Sequence, residues 1–178
     1  MTRSRRRNFE ETALIHLDEI FRVARRFSGS STHADDLTQE TFLRAWESFD
    51  RFEPGTNCRA WLYRIFFRVL SASRHELRRE LALFDDMPFD DARTATVPRM
   101  GSSVTRLDIE RAFAALPIAF ACVITLIDVE GLTYKEAAAA LEVPIGTVMS
   151  RLHRARAELR ALLAPSPRLV ASLRGHHD

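Results

Sequence analysis

Apolar residues recur every three or four positions along most of this 178-residue chain, which is the spacing of one face of an α-helix. Two periodic stretches, at 9–81 and 105–164, flank a segment at 82–104 that has no sustained period and contains four aspartates, two prolines and a glycine. Neither stretch has the alternation or the turns of β-hairpins. The pattern predicts an all-α protein with two small helical domains, at 9–81 and 105–164, a flexible linker at 82–104 and a tail at 165–178.

The clearest local pattern is a break between two helical runs near the end of the second domain. Apolar residues recur over 132–141 and again over 148–159, with Pro144 and Gly146 between them. Pro144 cannot continue the first helix, and Gly146 permits a tight turn. The two runs therefore predict a helix-turn-helix, whose second helix can lie in the major groove of DNA. The polar residues of that second helix are mainly basic: Ser150, Arg151, His153, Arg154, Arg156 and Arg160, opposed by Glu158.

The first domain contains a helix with an acidic face, predicted to begin near His33 with Thr32 as its N-cap. The apolar stripe of this helix is predicted to be buried in the core of the domain. Two interpretations of the acidic face stay open, a solvated surface and a docking site for a basic partner. The polar residues concerned are Asp36, Gln39, Glu40 and Glu47.

A Pro-Gly turn at 54–55 precedes a long basic helix, predicted from Arg59 to Arg79, in which arginines and aromatic residues are interleaved. Arginines can hold phosphates while aromatic rings stack on bases, as in proteins that bind single-stranded DNA. The aromatic spacing also fits a buried core, so both interpretations remain. The aromatic residues are Trp61, Tyr63, Phe66 and Phe67.

Composition narrows the function classes. The net charge is only +2, so the basic character is local, and the predominance of arginine is also what a GC-rich genome would produce. No apolar run approaches the roughly 18 residues of a membrane span. Cys58 and Cys122 lie outside any CxxC spacing, so no zinc site, cofactor or disulfide is predicted, and a reducing cytoplasmic location is expected. No phosphate loop, metalloprotease motif or activated nucleophile is present, which argues against an enzyme.

Three segments, in order, resemble bacterial RNA polymerase sigma factors. The run 34–46 resembles the segment that binds core polymerase, and 55–65 resembles the promoter-melting segment. The runs 128–136 and 144–156 together are similar to the reader of the −35 element. The length of the chain, the order of these segments and the linker between them resemble the extracytoplasmic-function (ECF) class. The sequences Gly-Thr-Asn and Gly-Thr-Val-Met-Ser resemble its thiol- and oxidative-stress subgroup.

The resemblance implies a promoter-specificity subunit that binds core polymerase at the β′ clamp coiled coil and the β flap. It also implies promoter DNA, single-stranded at −10 and double-stranded at −35, and an anti-sigma factor, which in the thiol-stress subgroup is a small zinc protein. The core-binding residues would be Asp36, Gln39, Glu40 and Glu47. The −10 residues would be Thr56, Asn57, Arg59, Trp61, Tyr63, Arg64 and Arg68, beside a base pocket in the loop 53–58. The −35 residues would be Thr147, Met149, Ser150, Arg151, His153, Arg154 and Arg156.

Three features depart from the family pattern. Arg68 stands where an asparagine usually reads the −10 strand, and Glu142 occupies the turn position that favours glycine, where a positive φ would strain it. A helix predicted over 112–129, with Pro117 near its start, is unusually apolar, so it is either deeply buried or faces a partner such as the anti-sigma factor. The alternative function is a stand-alone helix-turn-helix regulator, which would need a ligand pocket or dimer interface in its first domain.

Overall fold

The computed structural model describes residues 2–73 and 104–164, and every regular element in these ranges is helical, which confirms the all-α prediction. Most of the predicted linker, the predicted tail and the end of the predicted basic helix beyond Ser73 lie outside the described residues. The elements of the first domain are α1 (Thr2–Thr12), a 3-10 turn (Leu14–His16), α2 (Leu17–Ser28), α3 (Ser31–Ser48), a 3-10 turn (Phe49–Arg51) and α4 (Cys58–Ser73). Those of the second are α5 (Arg106–Ala115), α6 (Ile118–Ile124), a π-helical turn (Thr125–Val129), α7 (Tyr134–Leu141) and α8 (Ile145–Leu163).

The first domain packs α2, α3 and α4 around one apolar core. Ile20, Leu62 and Phe66 lie at its centre with no exposed surface. The N-terminal helix α1 joins this core through Phe9, whose ring makes an edge contact with Trp46 at a centroid distance of 5.2 Å. Edge-to-face pairs of this kind are favourable because the positive ring edge meets the negative ring face.

The start of α3 differs from the prediction. Gly29 ends α2 in the left-handed conformation, at φ 71°, and the chain then extends at Ser30. The Ser30 hydroxyl accepts a hydrogen bond from the backbone N–H of His33 at 3.2 Å, so Ser30 is the N-cap and the helix begins at Ser31. The prediction that Thr32 caps this helix was wrong, because Ser30 is the residue in the extended conformation that an N-cap requires.

The apolar stretch at 112–129 is not one helix. Pro117 begins α6, as predicted, but α5 ends before it at Ala115, and the chain passes into the π-helical turn after Ile124. Residues 119–126 are all buried, so the deep-burial interpretation fits this stretch. The described chain therefore leaves little of the stretch for a partner: Val129, 49% exposed, is its one large apolar side chain on the open surface.

The two domains pack against each other in this structure. Helix α4 of the first domain lies along α7 of the second, and the buried apolar side chains of both form one continuous cluster. Phe27 on α2 and Phe113 on α5 join across the boundary with ring centroids 6.4 Å apart. The second domain therefore covers part of the polar surface of α4.

Both cysteines are buried and free. Burial raises the pKa of the Cys58 thiol to about 11, so it stays protonated and poorly nucleophilic near neutral pH. Among residues 2–73 and 104–164, no helix is both long enough and apolar enough to cross a membrane.

Candidate nucleic-acid and polymerase interfaces

The helix-turn-helix is present, with α7 and α8 joined by the short turn 142–144. Glu142 makes the turn in the left-handed conformation, at φ 57°, and it is the one non-glycine residue with positive φ in the described parts of the chain. Gly146, expected to permit the turn, instead lies inside α8 without a positive φ. The strain expected at Glu142 is therefore real, while the special role expected of Gly146 was wrong.

The predicted −35 residues lie on α8, and most of them reach the surface. Met149, His153 and Arg156 are exposed, whereas Thr147, Ser150 and Arg154 are half-buried. These side chains occur at the helical spacings that place them on adjoining parts of one surface. They form a continuous candidate surface for the major groove.

Arg151 does not belong to that surface, which contradicts the prediction. Its side chain is fully buried, because it follows the buried Val148 by three positions and precedes the buried Ala155 by four. That spacing places it on the face of α8 that packs into the domain. Arg151 is a core residue of this structure and cannot reach a phosphate from this position.

Two arginines of α8 are already engaged. The Arg156 guanidinium forms a two-pronged ion pair with Asp128, with Nε 3.0 Å from Oδ2 and Nη2 2.5 Å from Oδ1. The Arg154 guanidinium lies 5.9 Å from the ring centroid of Phe120, and its Nε donates to the carbonyl of Ser150 at 3.4 Å. Packing on an aromatic ring limits the rotamers of Arg154.

The loop before α4 holds two of the predicted −10 residues at the surface. Gly55 has a φ of 88°, which only glycine adopts easily, and this conformation turns the chain into the helix. The Thr56 hydroxyl donates to the carbonyl of Glu53 at 2.7 Å, and the Asn57 side-chain oxygen accepts from the N–H of Ala60 at 3.1 Å. Asn57 therefore caps α4, and its side-chain nitrogen donates to Glu136 Oε1 of the second domain at 2.5 Å.

The aromatic residues of α4 are mainly structural. Tyr63 has no exposed surface, and its hydroxyl donates to Glu19 Oε1 at 2.9 Å, so the prediction that it contacts DNA is contradicted. Burial raises its pKa, which keeps the phenol protonated. Phe66 and Phe67 are also buried, and Trp61 is half-buried with its ring centroid 5.1 Å from that of Phe52. Only Trp61 of these rings retains surface for a base.

Arg59 lies within a network of acidic residues. Its Nε donates to Glu19, its Nη2 donates to Glu130 Oε2 at 3.1 Å, and Tyr63 also donates to Glu19. Burial alone raises the pKa of Glu19, but hydrogen bonds from Arg59 and Tyr63 outweigh it and hold that pKa below its ordinary value. Glu130 belongs to the second domain, so this network connects the two domains.

Arg64 and Arg68 share one carboxylate, that of Glu142. Arg64 Nη2 lies 2.8 Å from Oε1, while Arg68 Nε lies 3.0 Å from Oε2 and its Nη2 2.5 Å from Oε1. Hydrogen bonds from Arg68 and then Arg64 lower the pKa of Glu142 to about 2. Both arginines remain about half exposed, so they keep contact with solvent while paired.

The predicted polymerase-binding residues lie on α3, away from its buried stripe of Leu37, Phe42 and Ala45. Three of them are exposed, and Glu40 pairs with Arg44 at 2.6 Å one turn along the helix. Sequence reasoning missed Leu43, whose side chain is 53% exposed among them. Its spacing of four from Gln39 and from Glu47 is the signal that could have found it.

The comparisons with known proteins match both domains. The family Sigma-70 region 2 matches residues 14–79, and Sigma-70, region 4 matches residues 106–159. The chain is 37% identical over 165 residues to the ECF RNA polymerase sigma factor SigE of Mycolicibacterium smegmatis, covering 88% of this chain but only 62% of SigE. It is 36% identical over 139 residues to the ECF RNA polymerase sigma factor EcfG of Rhodopseudomonas palustris, covering 76% of this chain and 74% of EcfG.

A solved structure extends the match to three dimensions. The sigma factor RpoE of Bartonella quintana, in complex with the anti-sigma factor NepR, aligns with a TM-score of 0.67 and 31% identity, covering 88% of this chain and 96% of that chain. The two family matches, over 14–79 and 106–159, include most or all of each helix that carries a candidate DNA surface or the acidic face of α3. By sequence and by fold, this chain belongs to the sigma-70 family of RNA polymerase sigma factors, in the extracytoplasmic-function class.

Proposed function

We propose that this chain directs core RNA polymerase to promoters by reading the −35 element as duplex with α8 and the −10 element as a separated strand with α4. As a sigma factor it is a transcription initiation factor and not an enzyme. The observation that carries the proposal is the presence, in one chain, of a helix-turn-helix, a basic helix with a half-exposed tryptophan and an exposed acidic helix face.

The proposed −35 surface is the exposed part of α8. Met149, Ser150, His153 and Arg154 would meet base edges, since they share one face of the helix. Arg156 would hold a phosphate, and this would require it to exchange Asp128 for the DNA backbone. Arg151 is left out, because it is buried.

We expect Arg154→Ala to weaken binding to the −35 duplex by about 1–3 kcal/mol and to relax the preference at one base pair, because a guanidinium can contact guanine with two hydrogen bonds. The measurement is anisotropy titration of a −35 duplex taken from the protein's own start sites, compared with the same duplex changed one base pair at a time. Arg160→Ala is the matched control, since Arg160 is exposed near the end of α8. An unchanged base preference in the Arg154 variant would remove Arg154 from the reading surface.

The proposed −10 surface combines the loop before α4 with the polar side of α4. Thr56 and Asn57 would border the pocket for a flipped base, and Trp61 would present its open surface for stacking. Arg59, Arg64 and Arg68 would hold the strand by its phosphates. Arg68 supplies charge where the family usually has an asparagine, so its contribution would be affinity more than base preference.

The proposed polymerase-docking face is the exposed side of α3, formed by Asp36, Gln39, Glu40 and Glu47 around Leu43. A central apolar side chain surrounded by polar ones is the usual composition of a protein interface. Its expected partner is the clamp coiled coil of β′. The second domain would contact the β flap.

We expect Asp36→Arg to weaken binding to core polymerase by roughly tenfold, mainly through slower association, because a reversed charge opposes a basic partner. Surface plasmon resonance with immobilised core enzyme measures the association and dissociation rates. Asp18→Arg makes the same charge change on the exposed surface of α2 and should bind normally. Equal affinities of the two variants would argue that this face of α3 does not dock.

An anti-sigma factor is the expected regulator, and a small zinc protein is the expected kind if the thiol-stress resemblance holds. The sigma factor RpoE of Bartonella quintana, to which this chain is similar, forms a complex with the anti-sigma factor NepR, and this supports an anti-sigma partner for the chain. It gives no support for zinc in particular. Because its target is RNA polymerase, the chain is proposed to act in the cytoplasm.

The direct test is run-off transcription on fragmented genomic DNA by bacterial core polymerase, with and without this protein. We expect new discrete start sites that share −35 and −10 motifs. If the protein instead bound duplex DNA alone and produced no polymerase-dependent starts, a stand-alone regulator would replace the proposed function.

A further inference from the structure

Asn57, which directly precedes α4, and three arginines of α4 each contact a glutamate of the second domain. These residues, called here the α4 basic face, are Asn57, Arg59, Arg64 and Arg68. Their partners, called here the glutamate edge, are Glu130, Glu136 and Glu142. The contacts extend over about 14 Å of helix, at 1.5 Å per residue. The second domain thus covers the surface proposed for the −10 strand.

We propose that the glutamate edge is an intramolecular competitor of promoter DNA, which docks on the α4 basic face and restrains −10 binding by the free chain. The proposal rests on the proposed function of α4, because a competitor requires that DNA binds there. It needs no inhibitor protein. The chain's own second domain is the occupant.

The chemistry of the contacts supports competition. Arg68 holds the Glu142 carboxylate with two donors, Nε at 3.0 Å and Nη2 at 2.5 Å, and Arg64 holds the same group with Nη2 at 2.8 Å. A guanidinium presents this same fork to a phosphate. A carboxylate and a DNA phosphate would therefore use the same donors, and the two cannot occupy them together.

The other two glutamates extend the contact towards the start of α4. Glu136 Oε1 accepts from Asn57 Nδ2 at 2.5 Å, while its Oε2 accepts from the N–H of Thr133 and so caps α7. Glu130 accepts from Arg59 at 3.1 Å. Glu136 is held by the local structure of the second domain, so this part of the edge is preformed when it docks.

The backbone at Glu142 gives a further reason to assign it a role in docking. A left-handed φ of 57° is costly for a residue with a Cβ, and glycine would adopt it more easily. The side chain that occupies this position binds two arginines of the other domain. The ion pairs offset part of the backbone cost, and they do so only while the domains are together.

The ion pairs between the α4 basic face and Glu142 can be exchanged for contacts with DNA, because they are partly exposed. The side chains of Arg64, Arg68 and Glu142 are 47%, 55% and 42% exposed, and ion pairs in such positions are weak and screened by salt. A DNA strand brings several phosphates to the same face at once.

The test compares the full-length chain with Glu142→Gln, which keeps the side-chain shape and removes its charge. We expect the variant to bind a short labelled single-stranded oligodeoxynucleotide of mixed sequence roughly fivefold or more tightly by anisotropy, a typical size for coupling between sites. Small-angle scattering should give a larger radius of gyration for the variant. Glu110→Gln is the matched control, because Glu110 is exposed on α5 and pairs with Arg106 of the same helix.

A charge exchange tests the specific pairing. Glu142→Arg should open the chain further, and combining it with Arg64→Glu and Arg68→Glu should restore the compact radius. If Glu142→Gln and the parent chain bound the oligonucleotide equally and had equal radii, the proposal would be overturned while the function of α4 stood. If the variant opened but neither protein bound the oligonucleotide, the DNA-binding function of α4 would fail, and the competition with it.

Discussion

Replacing Phe66 by alanine is expected to lower the free energy of unfolding by about 3–5 kcal/mol. Phe66 has no exposed surface, and its ring lies between Phe27 and Phe67, at centroid distances of 6.4 Å and 5.1 Å. The variant loses the burial of the ring and leaves a cavity that a packed helical core cannot fill. Since small domains are stable by only about 5–15 kcal/mol, this loss is a large fraction of the total stability. Urea denaturation followed by circular dichroism measures the change.

Two controls separate cavity formation from a general effect of substitution. Phe66→Leu keeps most of the volume and should cost less than about 1.5 kcal/mol. Leu17→Ala removes an apolar side chain that is 42% exposed and should cost less than the Phe66→Ala variant. If Phe66→Ala were no less stable than Phe66→Leu, the packing described around α4 would be incorrect.

Replacing Arg59 by methionine is expected to cost about 3–5 kcal/mol at pH 7, because two poorly exposed carboxylates lose their common cation. The side chains of Glu19 and Glu130 are only 14% and 8% exposed. Methionine preserves the apolar stem of the arginine, so the loss reports the charge and its hydrogen bonds. Arg64→Met is the control, since Arg64 is 47% exposed and its ion pair should contribute at most about 1 kcal/mol.

The Arg59 variant should also show a characteristic pH dependence. In the parent chain the pKa of Glu19 lies below the ordinary carboxyl value of 4.5. The ionised Glu19 therefore stabilises the fold at pH values above 4.5, and this contribution is lost as the pH falls through the lowered pKa of Glu19. In the variant burial remains without the cation, which raises that pKa. The stability difference between parent and variant should therefore be largest near pH 7 and shrink towards pH 4.5. A pH-independent difference would indicate lost packing instead.

Local features of the fold could be predicted from the sequence because their causes are local. The first run of the helix-turn-helix ends before Pro144, and α6 begins directly after Pro117, since proline fixes φ and lacks a backbone N–H. The N-cap of α3 was misplaced by two residues because serine and threonine at 30–32 have similar capping chemistry. The conformation at Ser30, which the sequence leaves undetermined, decides between them.

The errors at Arg151 and Tyr63 have a different cause. Each has a polar group and was assigned to DNA by the family resemblance, although its spacing of three or four positions from buried neighbours places it on the core face of its helix. The contacts of the glutamate edge were wholly missed. They join residues 71 to 79 positions apart along the chain, and no periodic pattern relates positions so distant.

The π-helical turn at Thr125–Val129 makes the chain unusually sensitive to length at one place. The N–H of Glu130 donates to the carbonyl of Thr125 at 2.9 Å, five residues back, so the turn holds one residue more than an α-helical turn would. Deleting a single residue here would rotate the following positions by about 100°. Asp128 would then leave Arg156 and Glu130 would leave Arg59 in the same step. The extra residue of this turn thus aligns both the ion pair to the recognition helix and the ion pair between the domains. The segment from Thr125 to Gly131 should therefore tolerate substitutions far better than a change in its length.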